Sequence, residues 1–217
     1  MSSYQRAYWN NLFHENIVKN EVRQTPSKLG LKTMEICLKL GLINVLDLGC
    51  GQGRDCLFFA KQQLNVTATD ASDEAIDFVR KRKEKLGLNN LKIFMHNIVT
   101  DSVIKNDEFD IVFSNMLFQF FNNDELKEIL QNISKWLKPA GLLVCSIKRK
   151  GDSYFGKGEK ILEGVYRNGA VRYFRDKNEI EYLLNSRFSI LEINEDEDLE
   201  IDNSHSAWYS VISKNNK

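Results

Sequence analysis

The chain has no surplus of charge of either sign: 30 Lys and Arg offset 30 Asp and Glu, and the isoelectric point is about 6.8. Proteins that live on nucleic acid or an anionic membrane carry a basic field, and none is present here. The one basic run is Lys148-Arg149-Lys150. The four cysteines (Cys37, Cys50, Cys56, Cys145) form no C-x-x-C pair and sit among apolar neighbours. That argues against a disulfide framework and for buried free thiols in a reducing compartment. No apolar run is long enough to span a bilayer, and the Met1-Ser-Ser-Tyr start lacks the apolar core of a signal peptide. A cytoplasmic protein without membrane contact is expected. Repeats and low-complexity segments are absent, and no metal site is expected. What is present, 217 residues that are 42% hydrophobic, suits one globular domain with a full core.

The chain is organised around Val45-Leu-Asp-Leu-Gly-Cys-Gly-Gln-Gly-Arg-Asp55. An apolar strand stops at alternate glycines (Gly49, Gly51, Gly53) and turns directly into a helical pattern, Leu57-Phe-Phe-Ala60. Glycine lets main chain approach a ligand closely, and the start of a helix is expected to point free N–H groups at it. A dinucleotide loop, G-x-G-x-x-G, needs its third glycine at position 54, where this chain has arginine.

Asn65 to Asp70 reads as the next strand and ends in a carboxylate 21 residues after Gly49. That is the expected spacing for an acid that accepts from ribose hydroxyls. Ser72 is the better cap for the following helix, with Asp73 and Glu74 in its first turn, which leaves Asp70 for a ligand. Leu91 to Met95 is a third strand ending at His96-Asn97-Ile98. A fourth, from Asp107 to Asn115, opens onto Met116-Leu-Phe-Gln-Phe-Phe121. Its tip lies at the topological switch point, so Ser114, Asn115, Phe118 and Gln119 are expected to border the reacting group.

Asn122-x-x-Glu125 starts a helix as a capping box, Lys138-Pro-Ala-Gly141 ends it, and Leu142 to Ser146 is a fifth strand. Residues 151–175 read as a long aromatic loop whose Tyr154 and Phe174 suit an organic substrate. Asp176 caps a further helix. Phe188 to Ile193 and Ala207 to Ser213 close the sheet, and the acidic stretch 195–202 is expected to be a solvated hairpin loop. Upstream, residues 4–17 form an aromatic-ended amphipathic helix, either packing on the domain or covering the site with Tyr8 and Trp9. The expected arrangement is an N-terminal helix and lid (1–26), a binding core (27–149) and a substrate-side region with closing strands (150–217).

The G-x-G-x-G loop preceded by Asp47, the acid Asp70, and Leu137-Lys-Pro-Ala-Gly141 before an apolar strand resemble the class I, Rossmann-like S-adenosylmethionine-dependent methyltransferases. Gly51-Gln-Gly-Arg-Asp55 with Phe58-Phe-Ala60, and Val66 to Asp70, look most like the compact branch with tellurite-resistance and thiopurine methyltransferases. The resemblance implies an α/β three-layer sandwich around a doubly wound, mostly parallel seven-stranded sheet with an antiparallel last strand. It implies S-adenosyl-L-methionine as cofactor. Asp47, Gly49, Cys50, Gly51 and Gly53 would hold the methionine moiety, Asp70 and Ala71 the ribose, Asn97 and Ile98 the adenine, with Ser114 and Asn115 alongside. Family members usually carry an acid at the position of Asn97, and those acting on nucleobase amines have Pro-Pro-aromatic where this chain has Ser114-Asn-Met-Leu117. The expected acceptor is a soluble small molecule (a thiol, oxyanion or hydroxyl) touching Tyr8, Trp9, Phe118, Gln119, Lys148, Tyr154 and Phe174. For an alcohol, His205 and then Tyr173 are the candidate bases. A non-catalytic sensor or partner-activating protein, or a protein or RNA acceptor, are the alternatives.

Overall fold

The computed structural model describes residues 3–100, 103–199 and 204–217. After the N-terminal helix α1 (Ser3–Val18), Ser27 caps α2 (Lys28–Leu40) by accepting from the Gly30 N–H at 2.8 Å. Gly41 closes that helix in the left-handed conformation, φ 66°. Then follow β1 (Asn44–Leu48), α3 (Arg54–Lys61), β2 (Asn65–Asp70), α4 (Asp73–Leu86), β3 (Leu91–Met95) and β4 (Phe109–Ser114). A single 3-10 turn, Phe118–Phe120, precedes α5 (Asn123–Trp136) and the long strand β5 (Leu137–Lys148). The chain ends with β6 (Glu159–Leu162), β7 (Val165–Asn168), β8 (Ala170–Tyr173), α6 (Lys177–Leu184), β9 (Phe188–Leu199) and β10 (His205–Asn215).

The seven-stranded sheet has the order β3-β2-β1-β4-β5-β10-β9, with β10 antiparallel to both neighbours, as the doubly wound reading requires. Alternation along each strand feeds two cores. Val45, Ile111 and Phe113 meet α2, α3 and α4 on one face, while Leu46, Leu48 and Val112 meet α5 and α6 on the other. The capping box of α5 is present, with Asn122 Oδ1 accepting from Glu125 N at 2.9 Å and Glu125 Oε2 from Asn122 N at 3.0 Å.

Two expectations change. Residues 159–173 are no loop but a three-stranded antiparallel meander, β6-β7-β8. Its strands are four residues long and β6 is exposed throughout, so no apolar alternation marks them. The meander docks under α1: the Tyr4 hydroxyl donates to the Gly169 carbonyl at 3.0 Å, and the Tyr8 ring lies where a side chain at 169 would stand. The acidic stretch continues β9 to Leu199 rather than looping out, because β10 offers it a full ladder, Glu195 to Tyr209 and Glu197 to Ala207. Arg149 (3.6 Å from Glu197) and Lys28 (3.2 Å from Asp198) offset its charge. The rest of that stretch lies outside the described residues. No helix among the described residues is long and apolar enough to cross a membrane.

Candidate active site

The parallel strands deliver the glycine loop, the ends of β2 and β3, and the segment after β4 to one end of the sheet. There the loop amides are already committed. Gly49 N and Cys50 N donate to the Thr69 carbonyl (2.8 and 2.9 Å), Gly51 N to Asp70 Oδ2 (2.9 Å) and Gly53 N to the Cys50 carbonyl (3.0 Å). The Cys56 N–H in the first turn of α3 bonds Asp47. Of the amides expected to face a ligand, those of Gly49, Cys50, Gly51, Gly53 and Cys56 are therefore taken within the protein. Gly51, at φ 51°, lines the cavity, whereas Gly53, at φ 83°, serves packing. A Cβ there would stand 2.8 Å from Val79 Cγ2, so its glycine lets α3 and α4 meet.

A cavity of about 250 Å³ sits above the loop. Of the residues expected around the cofactor, Asp47, Gly49, Cys50, Gly51, Asp70, Ala71, Asn97, Ile98 and Asn115 line it; Gly53 and Ser114 do not. Ser114 is fully buried and donates to the Leu48 carbonyl at 3.1 Å, tying β4 to β1. Asp70 is not wholly free for a ligand: its Oδ1 accepts from Ser72 N at 2.9 Å while Oδ2 takes Gly51. These bonds aim the carboxylate into the cavity and leave further lone pairs, since an ionised carboxylate accepts about four hydrogen bonds. Ser72, as expected, caps α4 through Ala75 N at 3.2 Å.

Burial pushes the carboxyls of Asp47, Asp55 and Asp70 above their ordinary range. For Asp47 the nearby Asp55 and Asp70 charges add to the effect. For Asp70 the N–H groups of Ser72, Gly51 and Ala71 work against it, and for Asp55 the Ser27 N–H and Arg54 do. Three crowded acids favour a cation in their midst.

A second, wider cavity of about 760 Å³ adjoins the first, sharing Trp9, Arg54, Asn115, Met116 and Phe120 with it. Gln119, Lys148 and Tyr154, expected as substrate contacts, line this second space. Tyr8, Phe118 and Phe174 line neither cavity. Tyr8 packs on Gly169 and edge-on to Trp9, Phe118 is in the core, and Phe174 packs with Phe155 and Tyr166. The candidate bases also lie elsewhere. His205 is exposed on β10 with its Nε2 3.1 Å from Glu197 Oε2, and Tyr173 borders a separate depression with Tyr4 and Asn122.

Several lining residues had no signature in the sequence. Asp55 joins three elements, accepting from Ser27 N (2.7 Å), Ser27 Oγ (2.9 Å) and Asn115 Nδ2 (3.3 Å). Ser146 Oγ extends the network, donating to Asn115 Oδ1 (2.6 Å) and accepting from Met116 N (2.8 Å). Met116, at the junction of the two cavities, is held in the left-handed region at φ 58°, a strained conformation for a side-chain-bearing residue. Phe13 and Trp9 stack at 5.6 Å and cover the first cavity from α1, with Phe120 edge-on to Trp9 at 4.9 Å. His96 is buried at the end of β3, edge-on to Trp136, which suits a structural place in the wall.

Residues 45–141 match the family model described as a methyltransferase domain. A probable S-adenosyl-L-methionine-dependent methyltransferase, TehB of Haemophilus influenzae, is 32% identical over 97 residues, covering 45% of this chain and 33% of TehB. The chain thus matches about a third of that relative's length. Among solved structures, 1,6-didemethyltoxoflavin-N1-methyltransferase of Burkholderia thailandensis, bound to 1,6-didemethyltoxoflavin and S-adenosylhomocysteine, superposes with TM-score 0.71 at 18% identity. The match covers 97% of this chain and 88% of that one. A SAM-dependent methyltransferase of Methanosarcina mazei superposes with TM-score 0.70 at 18% identity, covering 92% and 96%. With the sheet order and the acid at the tip of β2 already in place, residues 45–141 match a methyltransferase domain, set in a fold similar to that of the class I, Rossmann-like, S-adenosylmethionine-dependent methyltransferases.

Proposed function

We propose that the protein transfers a methyl group from S-adenosylmethionine to a soluble small-molecule acceptor by in-line displacement, with the donor in the first cavity and the acceptor in the second. The observation that carries this reading is the lining of the first cavity: a glycine loop whose Gly49, Cys50, Gly51 and Gly53 amides are spent within the protein, ringed by Asp47, Asp55 and Asp70. A pyrophosphate would meet spent donors and three acids, whereas an ammonium and a sulfonium meet complementary charge. The residues therefore fit a methionine-derived cation better than a dinucleotide.

When bound, S-adenosylmethionine supplies a methyl group already activated by its sulfonium. Asp70 would accept from ribose hydroxyls, Asn97 and the Ile98 main chain would face the adenine, and Asp47 with the loop would hold the amino-acid end. Trp9 and Phe13 exclude water from above. Asn115 and Met116, fixed by Ser146, form the passage where the two reactants meet. Orientation of this kind can supply roughly 7–11 kcal/mol of a displacement barrier. A soft nucleophile needs no enzyme base, and neither His205 nor Tyr173 borders the passage to serve as one.

Calorimetric titration of the purified protein with S-adenosylhomocysteine and, separately, with NAD tests the reading. Saturable heat with the thioether and none with NAD is expected; the reverse pattern would replace methyl transfer with hydride chemistry.

A further inference from the structure

The second cavity has features that holding a methyl donor does not require. Its described lining carries Arg23, Arg172, Arg54 (shared with the first cavity) and Lys148 (ion-paired with the buried Asp152) against one acid, Glu21, where the first cavity has three acids and Arg54. Arg172, on β8, is buried, yet no carboxylate of the described residues pairs with it. Its Nη1 donates to the carbonyls of Asn168 (2.8 Å) and Ala170 (3.2 Å), and its guanidinium stands 4.5 Å from the Tyr154 ring centre and 5.7 Å from that of Phe120. A buried cation without an anion is costly to keep unless something answers its charge. Lys148, also buried, gives two of its three protons to Asp152 and Ser206 Oγ, which fixes the ammonium at the wall. Gln119 is 2% exposed; its Nε2 donates to the Met116 carbonyl at 2.5 Å, and its Oε1 has no hydrogen-bond partner among the described residues. The buried indole N–H of Trp9, which lines both cavities, has none either. A buried amide oxygen and a buried N–H left empty are costly unless a ligand answers them.

We propose that the acceptor is a small organic anion. Its carboxylate or phosphate is held by Arg172 and Lys148, its flat body lies against Tyr154 and Phe120, and an N–H or O–H of its own is accepted by Gln119 Oε1. This rests on the donor reading of the first cavity, and it divides the work by charge: the cationic donor among the acids, the anionic acceptor among the bases. Arg172 and Gln119 are then specificity residues supplied by the meander and by the turn after β4.

The 217-residue chain, with saturating S-adenosylhomocysteine, is titrated with benzoate, phenyl phosphate and the neutral twin benzamide. At least one anion should bind tenfold or more tightly than benzamide, and which one does so distinguishes a carboxylate from a phosphate acceptor. Arg172→Gln should abolish the preference while S-adenosylhomocysteine affinity stays within twofold of wild type, and Arg172→Lys should restore part of it. Should Arg172→Gln unfold, Lys148→Met takes its place with the same expectation. Benzamide binding as well as both anions, no anion binding at all, or a preference that survives loss of the cation would overturn the proposal. Failure of S-adenosylhomocysteine itself to bind would instead strike the donor reading, and the anion titrations repeated without it still report on the second cavity.

Discussion

At the N-terminal ends of β1 and β4, Asp110 accepts from Asn44 N (2.9 Å), Ile43 N (3.1 Å) and Lys138 Nζ (2.6 Å). Burial works upward on its carboxyl, but Lys138 and the two amides outweigh it and hold it below the ordinary range. At the opposite end of the sheet, Asp47 of β1, Asp70 of β2 and Asp55 of α3 are crowded together and pushed up. The backbone repeats the contrast. Ala140 and Met116 both adopt positive φ (61° and 58°), but Ala140 is an exposed residue in β5, while Met116 borders both cavities. One end of the sheet has its charges answered and contributes stability. The other holds three carboxyls raised by burial and, for Asp47, by its acidic neighbours, beside a strained residue that faces both cavities, an arrangement suited to a ligand site.

The largest expected effect lies at the satisfied end. Asp110→Ala should lower unfolding free energy by roughly 2 kcal/mol, the scale of charge-assisted hydrogen bonds, without changing S-adenosylhomocysteine affinity. Denaturant titrations across pH sharpen this. Because the folded Asp110 pKa is depressed, its contribution is full above the usual aspartate value of 3.8 and is lost as pH falls through the folded value. Asp47, with a raised folded pKa, carries a penalty at pH above that raised value, which fades as pH falls towards 3.8. Asp47→Asn should therefore gain most on wild type at high pH and least in acid. Parallel slopes for the two variants would erase the contrast.

A smaller effect separates the two strained residues. Ala140→Gly and Met116→Gly should each relieve about 1 kcal/mol of backbone strain. Only Met116→Gly should also weaken S-adenosylhomocysteine binding, severalfold, because it loosens the passage wall. Equal ligand affinity in both variants would make Met116 a local accident of the turn.

The sheet order and many residues of the first cavity are readable because each leaves a local mark. Glycines at alternate positions, an acid at a strand tip and Asn122-x-x-Glu125 are all fixed by the backbone within a few residues. The meander was not readable, since four-residue strands with polar outer faces carry no period. The continuation of β9 through its acidic stretch was hidden too: β10 decides it by pairing, and Arg149 and Lys28 make it tolerable. Asp55 and Arg172 gave no sign because their meaning lies in contacts 28 residues away (Ser27) and with rings brought together only by folding. His205 drew notice as an ionisable residue at a strand start, but β10 runs antiparallel and carries its ring to Glu197 instead.

The proposed donor site depends most directly on Asp70, whose carboxylate is held by Gly51 N and Ser72 N at the wall of the first cavity. Calorimetry of S-adenosylhomocysteine with wild type and Asp70→Ala, each checked for an intact thermal unfolding transition, measures its part. A loss of at least tenfold in affinity, about 1.4 kcal/mol, is predicted. Equal affinity in a folded Asp70→Ala protein would contradict the placement of the donor.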